Sequence, residues 1–266
     1  MKKLLIVCGL ALLGLQNAAA QNEDSWIPQQ LGIGVGVGTP GIVIDASTTI
    51  NRWFGVRAGV DIMPKIKVNT DLDLDFQDEV SLAFPAGVPD NIDIQGKLSN
   101  TTFHFLIDVY PFKGSSFHAT TGFYAGGKEL ISVYNKEAHA LQAVSDWNAL
   151  NPNAQIGAEL GDYFIAPDRD GNVKATIEVS GFRPYLGIGF CRAVPRGRLG
   201  TQFDLGVQFW GSPKVYAPVY DKGTGEYHKQ QLTDDHAGGD GGDIIKTISK
   251  ISVYPSLTVR LVGRIF

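Results

Sequence analysis

The chain has 266 residues, with 23 Lys and Arg against 27 Asp and Glu, a formal net charge of −4. An acidic chain repels phosphate backbones, which excludes nucleic acid as a natural partner. Two cysteines in 266 residues exclude a disulfide-stapled framework.

The N-terminus reads as a secretory signal peptide over residues 1–20. Lys2 and Lys3 form the basic start, Leu4 to Leu15 the apolar run, and Ala18, Ala19 and Ala20 the small-residue cleavage site. Cys8 lies inside the apolar run, away from the cleavage site, which argues against a lipoprotein anchor. Removal leaves 21 basic and 27 acidic residues, a net −6, with Cys191 as the single thiol. That remainder suits one domain. Residues 21–30 are polar and read as a periplasmic lead-in, so the barrel proper is expected over 31–266.

From residue 31 the chain alternates with a period of two, the mark of strands with one apolar and one polar face. Leu31 to Gly38 sets large residues against glycine alone. Ile42 to Ile50 follows a tight turn at 39–41, and Trp53 to Met63 follows a second at 51–52. Further strands are expected at Thr101 to Phe112, Phe117 to Ala125, Gly181 to Phe190, Leu199 to Trp210 and Ile251 to Phe266. Between them lie three long connections, 67–95, 134–176 and 212–247, together about 40% of the chain beyond residue 20, far more than a bare span needs. The first is acidic, although 71–76 still alternates, which extends a strand beyond the membrane. The second contains a candidate helix at Glu137 to Leu150.

Eight strands with alternating short and long connections match an antiparallel transmembrane β-barrel, whose periplasmic turns are short and outer loops long. The fold class is therefore all-β: an eight-strand antiparallel transmembrane barrel with long extracellular loops and both termini in the periplasm. Aromatic residues fall in two bands, as expected where rings meet lipid headgroups. Trp53, Phe54, Tyr110, Phe112, Phe117, Phe190 and Phe266 form one; Phe103, Phe123, Phe182, Trp210 and Tyr254 form the other. In the last strand Ile265 continues the outward face, while Arg264 and Phe266 fall on the other. That register implies a bulge or an atypical assembly signal.

The ordered segments G-T-P-G-I-V-I-D (38–45), N-R-W-F-G-V-R-A-G-V (51–60), I-D-V-Y-P-F (107–112), R-P-Y-L-G-I-G-F (183–190), D-L-G-V-Q-F-W-G-S-P-K-V (204–215) and Y-P-S-L-T-V-R-L (254–261) resemble a family of Gram-negative outer-membrane β-barrel proteins with small OmpA-like eight-strand barrels. The resemblance implies outer-membrane residence, contact with lipid and lipopolysaccharide, and passage through the barrel-assembly machinery. It carries over no catalytic residue.

The inward face collects charges of both signs: Asp45, Arg57, Asp61, Asp108, Arg183, Asp204, Arg260 and Arg264, with His104 and His118 as further polar lumen residues. An eight-strand interior is just wide enough for side chains to fill it. Buried charges must pair, so these residues are expected to form a lumen ion-pair network. Two histidines without a third ligand favour structure over a metal site.

Catalytic signals are weak. Ser99, Ser116, Ser132 and Ser180 lack a G-x-S-x-G elbow. Asp168 to Asn172 reads as an Asx/Gly turn rather than a calcium loop. The run Asp234 to Asp243 reads as a mobile solvated loop. The Gly-x-Gly repeats at 32–38 alternate within a strand, so they are no phosphate loop. The expected role is structural or surface-interacting, with no enzyme activity, no cofactor and no metal, and with an extracellular partner the sequence does not name. A narrow passive or gated channel is the first alternative, and a lipid-modifying enzyme the second.

Overall fold

The computed structural model describes residues 30–73, 91–152, 154–221 and 226–265. The expected signal peptide, most of the lead-in, part of the acidic connection and Phe266 lie outside the described residues.

The first strands are β1 (Gln30–Gly38), β2 (Gly41–Thr49), β3 (Phe54–Ile62), β4 (Ile66–Asp73), β5 (Asn91–Leu98), β6 (Thr101–Val109), β7 (His118–Gly126) and β8 (Glu129–Asn135). Helix α1 (Gln142–Leu150) precedes β9 (Ala158–Leu160), β10 (Tyr163–Ile165), β11 (Lys174–Glu178), β12 (Phe182–Phe190), β13 (Leu199–Phe209), β14 (Lys214–Asp221) and β15 (Glu226–Leu232). Helices α2 (Asp234–Ala237) and α3 (Gly239–Ser249) lead into β16 (Val253–Arg264).

Eight of these strands close a barrel in the order β1-β16-β13-β12-β7-β6-β3-β2, all neighbours antiparallel. They are the eight strands the alternation predicts, displaced at their ends by a few residues at most. Their nine to twelve residues are the length a tilted strand needs to cross a bilayer. No helix among the described residues is long and apolar enough to do so, and the crossing is made by strands.

The barrel is apolar outside and polar inside. Val37 is 64% exposed and Leu199 69%, as are many of their outward neighbours to lesser degrees, while Arg260 is 1% exposed and Asp108 0%. Water would penalise that outside, and lipid favours it. Outward phenylalanines cluster: Phe112, Phe117 and Phe190 at one rim, and Phe123 and Phe182 toward the other, with mid-wall Phe105 stacked on Phe123. Ile265 stays on the exposed side, and β1 pairs with β16 without a register shift through Arg264, so no bulge interrupts this strand among the described residues.

The glycine face of β1 has a steric cause. A Cβ on Gly36 would lie 2.5 Å from the Val259 carbonyl oxygen and 2.6 Å from Arg260 Cγ. Glycine there lets the Arg260 stem lie flat against the wall. Gly41 adopts φ 111°, a conformation open to glycine, and so closes the two-residue turn between β1 and β2.

The long connections are not open loops. They fold into a second, six-stranded sheet in the order β15-β14-β11-β8-β5-β4, with a β9–β10 hairpin beside it. Five strands of this sheet follow the barrel order, with β14, β11, β8, β5 and β4 standing beyond β13, β12, β7, β6 and β3. The barrel wall thus continues past one rim on five of its strands. One sheet face is apolar and covered. Leu141, Val144, Ser145 and Asn148 bury one side of α1, at helical spacing, with Leu141 and Val144 against Ile92 of β5. Ile245 of α3 packs with Ala217, Val219, Leu232 and Tyr163. The other face is polar: the Tyr134 hydroxyl donates to Gln95, and the Gln95 amide to Asn69, each at 2.8 Å.

Three expectations meet the structure here, and one of them fails. The helix expected near 137–150 is present as α1. The run 234–243 is not a solvated loop but lies in α2 and α3, with Asp234 and Asp235 in the first turn, where the helix dipole favours acids. Asp168 does form the expected Asx turn, its Oδ1 accepting from the amides of Asp170 at 3.0 Å and Asn172 at 2.8 Å.

Substituting Gly36→Leu forces a side chain into the β1–β16 seam. Overpacking of this kind costs about 1–3 kcal/mol. The urea midpoint of refolded barrel, read from the loss of its heat-modifiable band on gels, is expected to fall. Val37→Leu, on the outward face, is expected to leave it unchanged.

Candidate functional site: the charged lumen

Arg57 stands at the centre of the lumen. Its guanidinium spans two carboxylates, with Nη2 at 2.7 Å from Asp108 Oδ1 and Nη1 at 2.8 Å from Asp204 Oδ2. Nη2 also donates to Asp204 Oδ1 at 3.0 Å, which makes the Asp204 contact a two-point fork. Thr120 donates to Asp108 Oδ1 at 2.8 Å.

Arg260 donates to Asp45 and to the Gln202 carbonyl oxygen. The Gln202 amide donates to Asp108 at 3.3 Å and so joins the two arginine centres. His118 Nε2 lies 3.0 Å from Asp204 Oδ1. His104 Nδ1 lies 2.6 Å from Asp61, and its Nε2 lies 3.7 Å from Asp45. One connected network thus draws on β2, β3, β6, β7, β13 and β16. It holds two guanidinium cations, four carboxylates and two imidazoles, so a proton on each imidazole would bring the signs to four against four.

Little space remains. The cavity bounded by Asp45, Arg57, Asp61, His104 and Arg260 is about 10 Å³, the room of one water. Atoms of those same residues lack a hydrogen-bond partner: Asp45 Oδ2, Asp61 Oδ1, His104 Nε2, Arg57 Nε and Arg260 Nε. Such a site is polar enough to hold a water.

Both ends are stoppered. At the rim that carries the second sheet, Trp210 stacks on Tyr254 at 4.3 Å, packs with Leu130 and Val179, and lies under the Arg183 guanidinium at 5.7 Å. At the other rim the β12–β13 turn folds inward. Ala193 and Val194 are 0% and 1% exposed. The Ala193 amide donates to the Tyr110 hydroxyl at 2.8 Å, and its carbonyl accepts from Ser47 at 2.8 Å.

Of the residues the sequence singles out, Asp45, Arg57, Asp61, His104, Asp108, His118, Asp204 and Arg260 meet in this network. Arg183 and Arg264 do not. Arg183 is buried but donates to the carbonyls of Ser180, at 2.8 Å, and Gly127, because it sits at the rim above the carboxylates. Arg264 is half-buried at the opposite rim and makes no ion pair among the described residues. Tyr110, Trp210 and Tyr254 also depart from expectation, as they seal the lumen rather than join the lipid belts. The alternation carried that signal, since they share parity with inward Asp108, Gln208 and Ser256. Gln202 was visible only as one more polar inward residue.

His118 does find further ligand atoms. With Asp108 and Asp204 it forms a buried group whose ligand atoms lie within 4.8 Å of one another, which corrects the expectation that the histidines lack a third partner. Arg57 already bridges both carboxylates there, so the compensating cation is part of the chain.

A closed antiparallel barrel with a lipid-compatible exterior and a charge-filled interior is a transmembrane β-barrel. Its form resembles the barrels of outer-membrane proteins. The sequence matches no protein-family model and no curated protein. Solved structures similar in form include Acinetobacter baumannii CarO, at TM-score 0.45 and 14% identity over 91% of this chain and 99% of that one. Acinetobacter baumannii CarO2 is similar at 0.45 and 14%, over 89% and 99%. A major outer membrane protein from Thermus thermophilus is similar at 0.38 and 15%, over 88% and 98%. The membrane reading stands on this chain's own residues.

Removing one partner of a buried ion pair strands the other and costs about 3–5 kcal/mol. Arg57→Ala is therefore expected to lower the urea midpoint of the barrel in lipid vesicles strongly. Arg183→Ala, which strands no carboxylate, is expected to lower it much less.

Proposed function

We propose that this chain is an outer-membrane barrel whose lumen is permanently filled and whose work is done by the surface beyond the rim. The observation that carries this reading is the lumen itself: a connected ion-pair network, about 10 Å³ of residual space, and a stopper at each end. A conducting pore needs a continuous wet path, and a path here would require Arg57 or Arg260 to leave its carboxylates.

In the proposed orientation the short turns, the N-terminal lead-in and the C-terminal end of β16 face the periplasm, and the six-stranded sheet faces outward. Every long connection leaves the same rim, which fits that placement. Lipid and lipopolysaccharide surround the wall, and the barrel-assembly machinery inserts it. The outer sheet is a built surface rather than a set of tethers. On its polar face Lys136 pairs with Asp93 at 2.8 Å, and that hydrogen bond holds the Asp93 carboxyl below its usual range. Between β9–β10 and β14–β15 lies a cleft of about 450 Å³ lined by Phe164, Tyr220, Glu159 and Asp162, a size suited to a small ligand or a side chain of a partner. The reading includes no catalysis: His104 and His118 are sealed in the lumen, out of reach of any substrate.

The test is single-channel recording of refolded protein in a planar bilayer. The expected outcome is a silent membrane across the voltage range the bilayer tolerates. Steady discrete openings of the unaltered chain would overturn the reading in favour of a channel.

A further inference from the structure

Helix α3 carries apolar residues on two faces. Ile245 is buried against the outer sheet. On another face Ile244, Ile248 and Ile251 recur at i, i+4 and i+7, the last just beyond the helix end, and so form one stripe. Ile244 is 60% exposed and Ile251 55%, so the described residues leave both uncovered. Two residues beyond Ile251 the backbone enters β16 at Val253, which is 45% exposed and belongs to the lipid-facing wall. Val253 pairs with outward Phe209 at the rim that carries the outer sheet. The exposed isoleucine stripe is thus continuous with the membrane surface of the barrel.

Lys246 and Lys250 are exposed on the half of α3 nearest the rim, and helical spacing puts them on the side away from the stripe. An apolar stripe on one side and charge on the other is the pattern of a helix lying at a lipid interface.

We propose that α3 is an interfacial anchor: its Ile244, Ile248 and Ile251 stripe dips into the bilayer at the outer rim, with Lys246 and Lys250 on the water side. The inference rests on the membrane-barrel reading and deepens it. It gives the outer sheet a fixed seat on the apolar layer of the bilayer.

The test uses the full chain with Cys8→Ser and Cys191→Ser, carrying one spin label at a time at Ile244→Cys, Ile251→Cys, Asp243→Cys or Leu205→Cys. Proteins are refolded into vesicles of phosphatidylcholine. Power saturation with oxygen and with a water-soluble nickel chelate reads the depth of each label. The expected result is an oxygen-to-nickel accessibility ratio at 244 and 251 between those at exposed Asp243 and mid-wall Leu205. Ratios at 244 and 251 equal to that at 243, with Leu205 still lipid-buried, would overturn the anchor and leave the barrel intact. A nickel-accessible Leu205 would overturn both readings.

Discussion

The Arg57 guanidinium, held between Asp108 and Asp204, is the constraint on which the rest of the barrel depends. An eight-strand barrel has an interior that must be filled by side chains. This chain fills it with charge rather than hydrocarbon, and a buried charge is tolerated only when its partners are fixed. Because those partners come from different strands, the network also sets their register. A slip by one residue would turn Arg57 or Asp204 out to the lipid. The glycine face of β1 follows from the same demand, since the Arg260 stem needs the volume that side chains on β1 would take.

Closure of the ends makes the network dry enough to matter. Tyr110, Ala193 and Val194 shut one rim, and Trp210, Tyr254, Leu130 and Val179 the other. With water excluded, Coulomb attraction inside is less screened, and the unpaired atoms around the small cavity are correspondingly costly. The fold thus separates two tasks. In the function proposed, the barrel is the strongly specified post, and the sheet beyond it, with its covered apolar face and hydrogen-bonded polar face, is the part that meets other molecules.

How much of this was legible in the sequence depends on which residues are considered. The eight barrel strands were, because membrane strands alternate strictly and the connection lengths alternate with them. So were eight of the ten lumen residues. Arg183 and Arg264 were misassigned because alternation reports the face of a strand and not the depth along it, and both lie at rims. Tyr110, Trp210 and Tyr254 were drawn toward the aromatic belts by their residue type, although their parity put them inside. The six-stranded sheet beyond the rim was largely illegible. Its strands are five to eight residues long, interrupted by α1 and the β9–β10 hairpin, and its apolar face is covered by helices rather than lipid, so no single period runs through 134–176 or 212–247. The glycine- and aspartate-rich start of α3 opposes helix formation locally, and packing of Ile245 onto the sheet overrides it.

The measurement closest to the central claim is a double-mutant cycle on Arg57 and Asp204, using Arg57→Met, Asp204→Asn and the pair, with urea unfolding from lipid vesicles. If the pair holds the lumen shut, the double variant will be clearly less destabilised than the two single losses summed, with a coupling of about 1–3 kcal/mol. Additive losses, with no coupling, would contradict the account.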